Sequence, residues 1–256
     1  MTGARRSAAT ILGMAPALLV ILLIIAVPSV AVFVRALVPA DGGGVSLDPF
    51  LSLFSNNYFL QSFWRTLRIA IAVTALTILG GYPLALFITR ARPVVAGLVL
   101  SLVVFPLMVS TVARTFGWIV VLGNNGLINQ ALSFLGVPGA PVSLLYNDLA
   151  IIVGETHLLL PYMVISLLAV MQRADPHLEE AAHSLGANPV RTFLFVTLPM
   201  TRAGLLAGIM LVMSLGMMAF ATPMILGGAR SPVLTTVIYR QVFVTFDWQL
   251  AAAAAI

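Results

Sequence analysis

Three stretches of this chain, from Arg68 to Arg90, from Arg92 to Arg114 and from Arg202 to Arg230, carry no charged side chain between their end residues. A helix needs about 20 predominantly apolar residues to cross the hydrocarbon of a bilayer, so the charges act as a ruler and these stretches read as spans two, three and five. Ile11 to Leu37, interrupted only by Arg35 near its end, is the first span. Arg5 and Arg6 precede it, but it exceeds the roughly 7 to 15 residue core of a cleaved secretory signal and is expected to be retained. The fourth span lies between Asp148 and Arg173 and holds two ionisable residues, Glu155 and His157. Only 8% of the residues are charged, against about 25% in soluble domains. The predicted fold is therefore all-α: one transmembrane domain over residues 1–256, a polytopic helical bundle of five full spans and a truncated sixth.

Polar and glycine-rich segments separate the spans. Val38 to Gln61 contains Asp41-Gly42-Gly43-Gly44 and Asn56-Asn57, which predict a solvated loop. The uncharged segment after Arg114 is broken by Gly123-Asn124-Asn125-Gly126 and by the run from Gly136 to Pro141, leaving room only for a short interfacial helix near Leu127 to Leu135. The alanine-rich run Gln249 to Ile256 is too short to cross.

Several function classes drop out. The chain has no cysteine, so disulfides, thiolate catalysis and cysteine-ligated zinc are excluded. No lysine occurs, which removes any Gly-x-x-x-x-Gly-Lys-Ser/Thr nucleotide loop. The formal charge of +5 rests on arginines with no basic, aromatic-interleaved stripe, and so suits a bilayer surface rather than nucleic acid. Glu155 and His157 point about 160° apart on one helix, which rules out joint metal ligation by the two. Neither a cofactor nor a metal is expected, and no paired catalytic constellation appears.

The segment between spans four and five, about 173–202, carries the most local order. Asp175 is placed to cap a helix beginning at Pro176, with Glu179 and Glu180 at the positive end of its dipole and Gly186 as a left-handed stop. Asn188 and Pro189 repeat the cap, and a second helix runs on toward Leu198-Pro199. Leu178, Ala181, Ala182 and Leu185 share one helical face; Val190, Phe193, Leu194 and Thr197 share another. Such a hairpin either inserts into a groove on a partner protein or packs as an interfacial hairpin on its own bundle.

The run Glu180-Ala181-Ala182, three residues, Gly186, nine residues, Val196, one residue, Leu198-Pro199 resembles the EAA loop of binding-protein-dependent ABC importer permeases in every fixed element. Two further segments, Arg114-Thr115-Phe116-Gly117-Trp118 with Leu122 to Asn129, and Pro223 to Gly228 with the later Asp247-Trp248, are similar to polyamine (spermidine/putrescine) permeases. The resemblance covers most of the chain. It implies a type I importer subunit of the bacterial cytoplasmic (inner) membrane that is not itself an enzyme. The implied partners are two ATPase subunits, a second similar permease and an extracytoplasmic substrate-binding protein. It also implies a cytoplasmic loop docked into an ATPase cleft, an orientation that the arginine count, seven against six, does not decide. Family members end with a complete last helix, so this sequence is expected to be a fragment or a shortened product.

On that resemblance Glu180 is expected to meet a basic or amide group of the ATPase, Ala181 and Ala182 to permit close approach, Gly186 to set the turn, and Leu198-Pro199 to fix the exit into span five. Phe193 belongs to the docking face, and Arg191 faces either an acidic rim or phospholipid. Polyamine is the leading cargo; iron, thiamine, phosphonate or another small organic ion is the alternative, and an ion-gradient-driven carrier would need more buried carboxylates than Glu155 alone. Glu155 either lies on the route of a cation or pairs with Arg114, the preferred reading. His157 is expected to be a hydrogen-bonded structural residue, and His177 and His183 to be solvated. Gly204 and Gly208 allow a close helix contact, Gly80-Gly81-Tyr82-Pro83 marks a hinge, and Met210, Met213, Met217 and Met218 are flexible packing.

Overall fold

The computed structural model describes residues 2–38, 44–139, 141–175 and 177–256, with side chains in the first helix described at Pro16 and from Leu19 onward. The expected turn residues Asp41, Gly42 and Gly43, the side chains of Arg5 and Arg6, Ala140 and the helix-starting Pro176 lie outside the described residues. Every regular element among those described is helical. In chain order these are α1 (Thr2–Leu37), α2 (Asp48–Ser55), α3 (Asn57–Arg90), α4 (Pro93–Val104), α5 (Thr111–Leu122), α6 (Leu127–Phe134), α7 (Asp148–Met171), α8 (His177–Ser184), α9 (Pro189–Thr192), α10 (Leu198–Met217), α11 (Leu234–Phe243) and α12 (Trp248–Ala255).

Among the described residues four helices have the length and apolarity to cross a bilayer: Leu19–Leu37, Asn57–Arg90, Asp148–Met171 and a continuous Pro189–Met217. The third expected span differs. Its apolar run forms α4 and a 3-10 turn, Phe105–Met108, and the chain then bends by 104° into the segment Thr111–Phe134. Pro106 in that turn has no N–H to give a helix, and the Arg114 guanidinium donates to its carbonyl oxygen from across the bend. A charge-free run measures apolarity and says nothing of helix continuity. The fifth span also moves: it begins at Pro189, ahead of Arg202, and ends at Met217, before a π-turn at Pro223–Gly227. A long arginine can extend along a helix toward polar surroundings without ending it. The expected interfacial helix is α6, and the buried Asn129 side chain pins its loop by bonding Gly123 O, Val142 O and Val142 N.

The described residues gather into two compact units. In the first, residues 1–61 and 237–256, the alanine-rich α12 lies on α1, and Ala36, Ala252 and Ala253 are buried with Phe50 and Leu53 of α2 beside them. Methyl-sized side chains let the backbones approach, the usual solution where lipid offers no hydrophobic drive between helices.

The second unit, residues 62–236, is centred on α7, whose Ile151, Leu159, Met163, Val164 and Leu167 are fully or almost fully buried. Helix α10 packs along α7 at Gly204 and Gly208, which identifies the neighbour that the small-residue pattern left open. A Cβ on Gly204 would stand 2.8 Å from Ser166 O and 2.9 Å from Val170 Cγ2. Helix α3 runs unbroken through Gly80-Gly81-Tyr82-Pro83. A Cβ at Gly81 would come 3.0 Å from Met163 Cγ, so that glycine serves close approach to α7. His157 accepts a hydrogen bond from Trp118 Nε1 at 3.4 Å, as a structural histidine should.

Candidate functional site

The hairpin between α7 and α10 is built largely from backbone chemistry that its sequence dictates. The Asp175 carboxylate accepts from the backbone N–H of His177 at 3.0 Å, and Asn188 Oδ1 accepts from that of Arg191 at 2.8 Å. Helix α8 closes with Gly186 at φ +82°, where Gly186 N–H donates to His183 O and Ala187 N–H donates to Ala182 O. This is the Schellman pattern, which satisfies the last carbonyls of the helix and needs a left-handed residue at its turn.

Beyond α9 the helix widens into a π-turn, Phe193–Thr197, and continues without a gap into α10. The second short helix of the hairpin is thus the first turn of a membrane span.

The sequence-predicted residues fall into two groups. Glu180, Ala181 and Arg191 face solvent, Ala182 is half-buried, and Gly186 and Pro199 are exposed. Leu185, Val190 and Phe195 of the same hairpin are exposed apolar side chains among them; Leu185 is 89% exposed. Phe193 and Leu198 turn inward instead. Phe193 sets its ring edge-on to Tyr82 of α3, with centroids 5.3 Å apart, and Leu198 packs against the α7 core. Phe193 therefore does not share the outward surface, because the wider π-turn rotates it onto the bundle.

The residue that sequence reasoning passed over is Glu179, assigned there only to the helix dipole. Its Oε2 accepts from Arg90 Nη2 at 2.7 Å and its Oε1 accepts from the Thr197 hydroxyl at 2.5 Å. One carboxylate thus ties α8 to the end of α3 and to the π-turn. The network continues inside: Thr201 Oγ1 donates to Thr197 O and lies 2.6 Å from the Tyr82 hydroxyl. A cavity of about 430 Å³ opens beside it, lined in part by Arg90, Met171, Glu179 and Thr201. The sequence separation of 89 residues between Arg90 and Glu179 hides such a pair from local patterns.

Arg90 is well exposed, so its pair with Glu179 should contribute no more than about 0.2 to 1 kcal/mol. The Thr197 hydroxyl is buried, and removing its acceptor should cost more. We expect Glu179→Ala to lower the thermal midpoint more than Arg90→Ala in detergent-solubilised protein. Equal shifts would mean the Thr197 contact is idle. Nearby, exposed His177 bonds Glu180 at 3.1 Å, and that bond, with help from Asp175, raises the imidazole above its usual range. The charged contact is therefore complete below the ordinary histidine value and fades as pH rises through the raised one.

The ion pair expected from sequence, between Glu155 and Arg114, does not form. Among the described residues the ion pairs are Arg65–Asp148, Arg90–Glu179 and His177–Glu180. Arg114 instead bonds Pro106 O and, at 3.4 Å, Thr111 Oγ1. Glu155 is 2% exposed, neither oxygen completes a hydrogen bond although the Thr222 hydroxyl stands beside it, and it shares with Arg114 a cavity of about 470 Å³. The bend before α5 turns the guanidinium toward its own turn, a geometry no spacing rule conveys. Among the described residues no cluster of ligating side chains is arranged for a metal.

No family model matches the chain. It is 32% identical over 235 residues to the spermidine/putrescine transport system permease protein PotB of Haemophilus influenzae, covering 90% of this chain and 82% of that protein. It is 32% identical over 211 residues to PotB of Escherichia coli K12, covering 82% and 76%. The molybdenum transport system permease protein ModB of Mycobacterium tuberculosis is 27% identical over 212 residues, covering 83% and 75%. In fold the chain is similar to a bacterial alginate ABC transporter solved in complex with an alginate-bound periplasmic protein, at TM-score 0.79 and 20% identity, covering 98% of this chain and 88% of that one. With the helical bundle and the ordered hairpin, these likenesses place the protein: it belongs to the ABC importer permeases, in the family that holds the PotB proteins, as a multi-pass subunit of the bacterial inner membrane.

Proposed function

We propose that this permease passes polyamines of the spermidine/putrescine class inward, driven by ATP that two separate ATPase subunits hydrolyse, with a second similar permease completing the pore and an extracytoplasmic binding protein delivering cargo. The cargo assignment is supported by the 32% identity to PotB over most of both chains. The drive is supported by one observation above the others: a capped hairpin that exposes Leu185, Val190 and Phe195 and runs without interruption into α10. A hairpin so joined acts as a lever. If the ATPase subunits close on ATP, the docked residues move with them and α10 tilts on α7.

In this reading Glu180 offers an acid to a basic or amide group, Ala181, Leu185 and Val190 enter the ATPase groove, and Arg191 reaches its rim. Phe193, Leu198 and Glu179 hold the hairpin to the bundle, so that displacement is transmitted and not absorbed. The native chain has no cysteine, which makes Ala181→Cys a single-site probe. A bifunctional thiol-to-amine reagent should join that residue to the ATPase subunit in native membranes, and a hairpin labelled only from the outside would overturn the docking. Calorimetry of the binding protein with putrescine, spermidine, ferric salts and molybdate names the cargo. The 27% identity to ModB keeps an inorganic oxyanion as the second reading, and an exothermic response to molybdate alone would establish it.

A further inference from the structure

Two stretches of non-helical backbone lie within the apolar part of the chain, Val109–Ser110 after the 3-10 turn and Met218–Phe220 after α10. At membrane depth such backbone persists only where protein covers it or where it lines a water-filled cavity, and in transporters broken helices flank the place where cargo is held. Here both breaks border the same cavity of about 470 Å³. Glu155 of α7 stands in its wall, about 10 Å along the helix from Asp148. The adjoining Gly154 brings α7 against the second break: a Cβ there would meet Leu226 Cδ1 at 2.7 Å and Thr222 Cγ2 at 2.9 Å.

The protein compensates the Glu155 carboxylate only weakly. Neither oxygen completes a hydrogen bond although the Thr222 hydroxyl stands beside it, no ion pair reaches it among the described residues, and the Arg114 guanidinium, which attracts it, is engaged by Pro106 and Thr111. A buried acid in that condition either stays neutral or receives a positive group from outside. The surroundings favour the second. Tyr162 and Thr222 supply hydroxyls, Phe220 adds an aromatic ring at the same wall, and the volume falls within the roughly 300 to 1,000 Å³ of small-molecule sites. That room suits an organic cation better than a bare ion, and the carboxylate would repel an anion.

We propose that the cavity between the two helix breaks is a transit site for a small organic cation, with Glu155 receiving one alkylammonium group of the cargo. The proposal rests on the polyamine reading for the identity of the cargo, not for the sign of its charge.

The test uses the full chain in lipid nanodiscs and a membrane-permeant carbodiimide, which modifies buried carboxyl groups. Total modification at Glu155, counted by peptide mass as acylurea plus any amide formed when the amine attacks the activated carboxyl, should fall at least about fivefold with 1,4-diaminobutane and remain unchanged with 1,4-butanediol, its neutral analogue. In the assembled importer Glu155→Gln should lower uptake at least about tenfold and Glu155→Asp less, with ATP hydrolysis persisting. Equal labelling with and without the diamine, or parental uptake by E155Q, would identify Glu155 as a neutral structural acid and overturn the site. If the binding protein takes no polyamine while the diamine still protects Glu155, the cargo reading fails and the cation site stands. If the binding protein takes spermidine but no amine protects Glu155, the site fails and the cargo reading stands.

Discussion

Importer carrying Gly186→Pro hydrolyses ATP and takes up cargo at least about tenfold more slowly than the parent, a loss that corresponds to about 1.4 kcal/mol or more of coupling. Gly186 sits at φ +82°, whereas proline holds φ near −65°, so the Schellman turn cannot survive the change. The substitution also deletes the N–H that bonds His183 O at 2.9 Å. Helix α8 then unwinds from its C-terminal end, and the surface carrying Leu185 and Ala181 loses its fixed position relative to α10. The Cβ itself would meet nothing within 4 Å, so the damage comes from the backbone and not from a side-chain clash.

That open space makes Gly186→Ala a calibrating variant. It adds backbone strain of about 1 to 2 kcal/mol and no clash, so uptake should fall between the parental and proline values. Glu180→Lys should slow uptake by reversing the charge offered to the ATPase, with membrane insertion intact. Uptake by the assembled G186P importer at the parental rate would remove the hairpin from the coupling path. Loss of ATPase co-purification with G186P would point to anchoring as its main task.

The second large effect is expected at Gly204. Gly204→Val should destabilise the bundle by about 3 kcal/mol or more, enough to deplete folded protein in the membrane. The added carbon would lie 2.8 Å from a backbone oxygen, Ser166 O, and 2.9 Å from the β-branched Val170, neither of which can swing aside. Gly208→Val offers the internal comparison. There the obstructing atom is Met163 Sδ at 2.6 Å, near the end of an unbranched, adaptable side chain. Thermal unfolding in detergent should rank G204V well below G208V. The reverse order, or equal midpoints, would mean that α7 and α10 are not held by backbone approach at Ser166.

Apolar runs and caps were legible in the sequence because they are local. Span one, α3, α7, the interfacial α6, the Asn188 cap and the left-handed Gly186 each follow from neighbours a few residues away. Three features were not legible. The 104° bend after Met108 arises within an uncharged run, where a charge ruler has no marks. The inward turn of Phe193 depends on a π-turn that shifts helical phase, so a fixed 3.6-residue period assigned it to the wrong surface. The partner of Arg90 was hidden by distance along the chain.

By itself the sequence determined that this chain is a helical membrane protein with a capped hairpin before its last long span, because the cost of placing charge in hydrocarbon and the geometry of helix ends are set residue by residue. Only the tertiary structure decided that Glu179 ties that hairpin to α3, and that Arg114 turns to Pro106 while Glu155 lies beside a cavity without an ion pair. Those outcomes depend on which distant backbones meet, and a bend or a π-turn redirects a side chain by more than any spacing rule records.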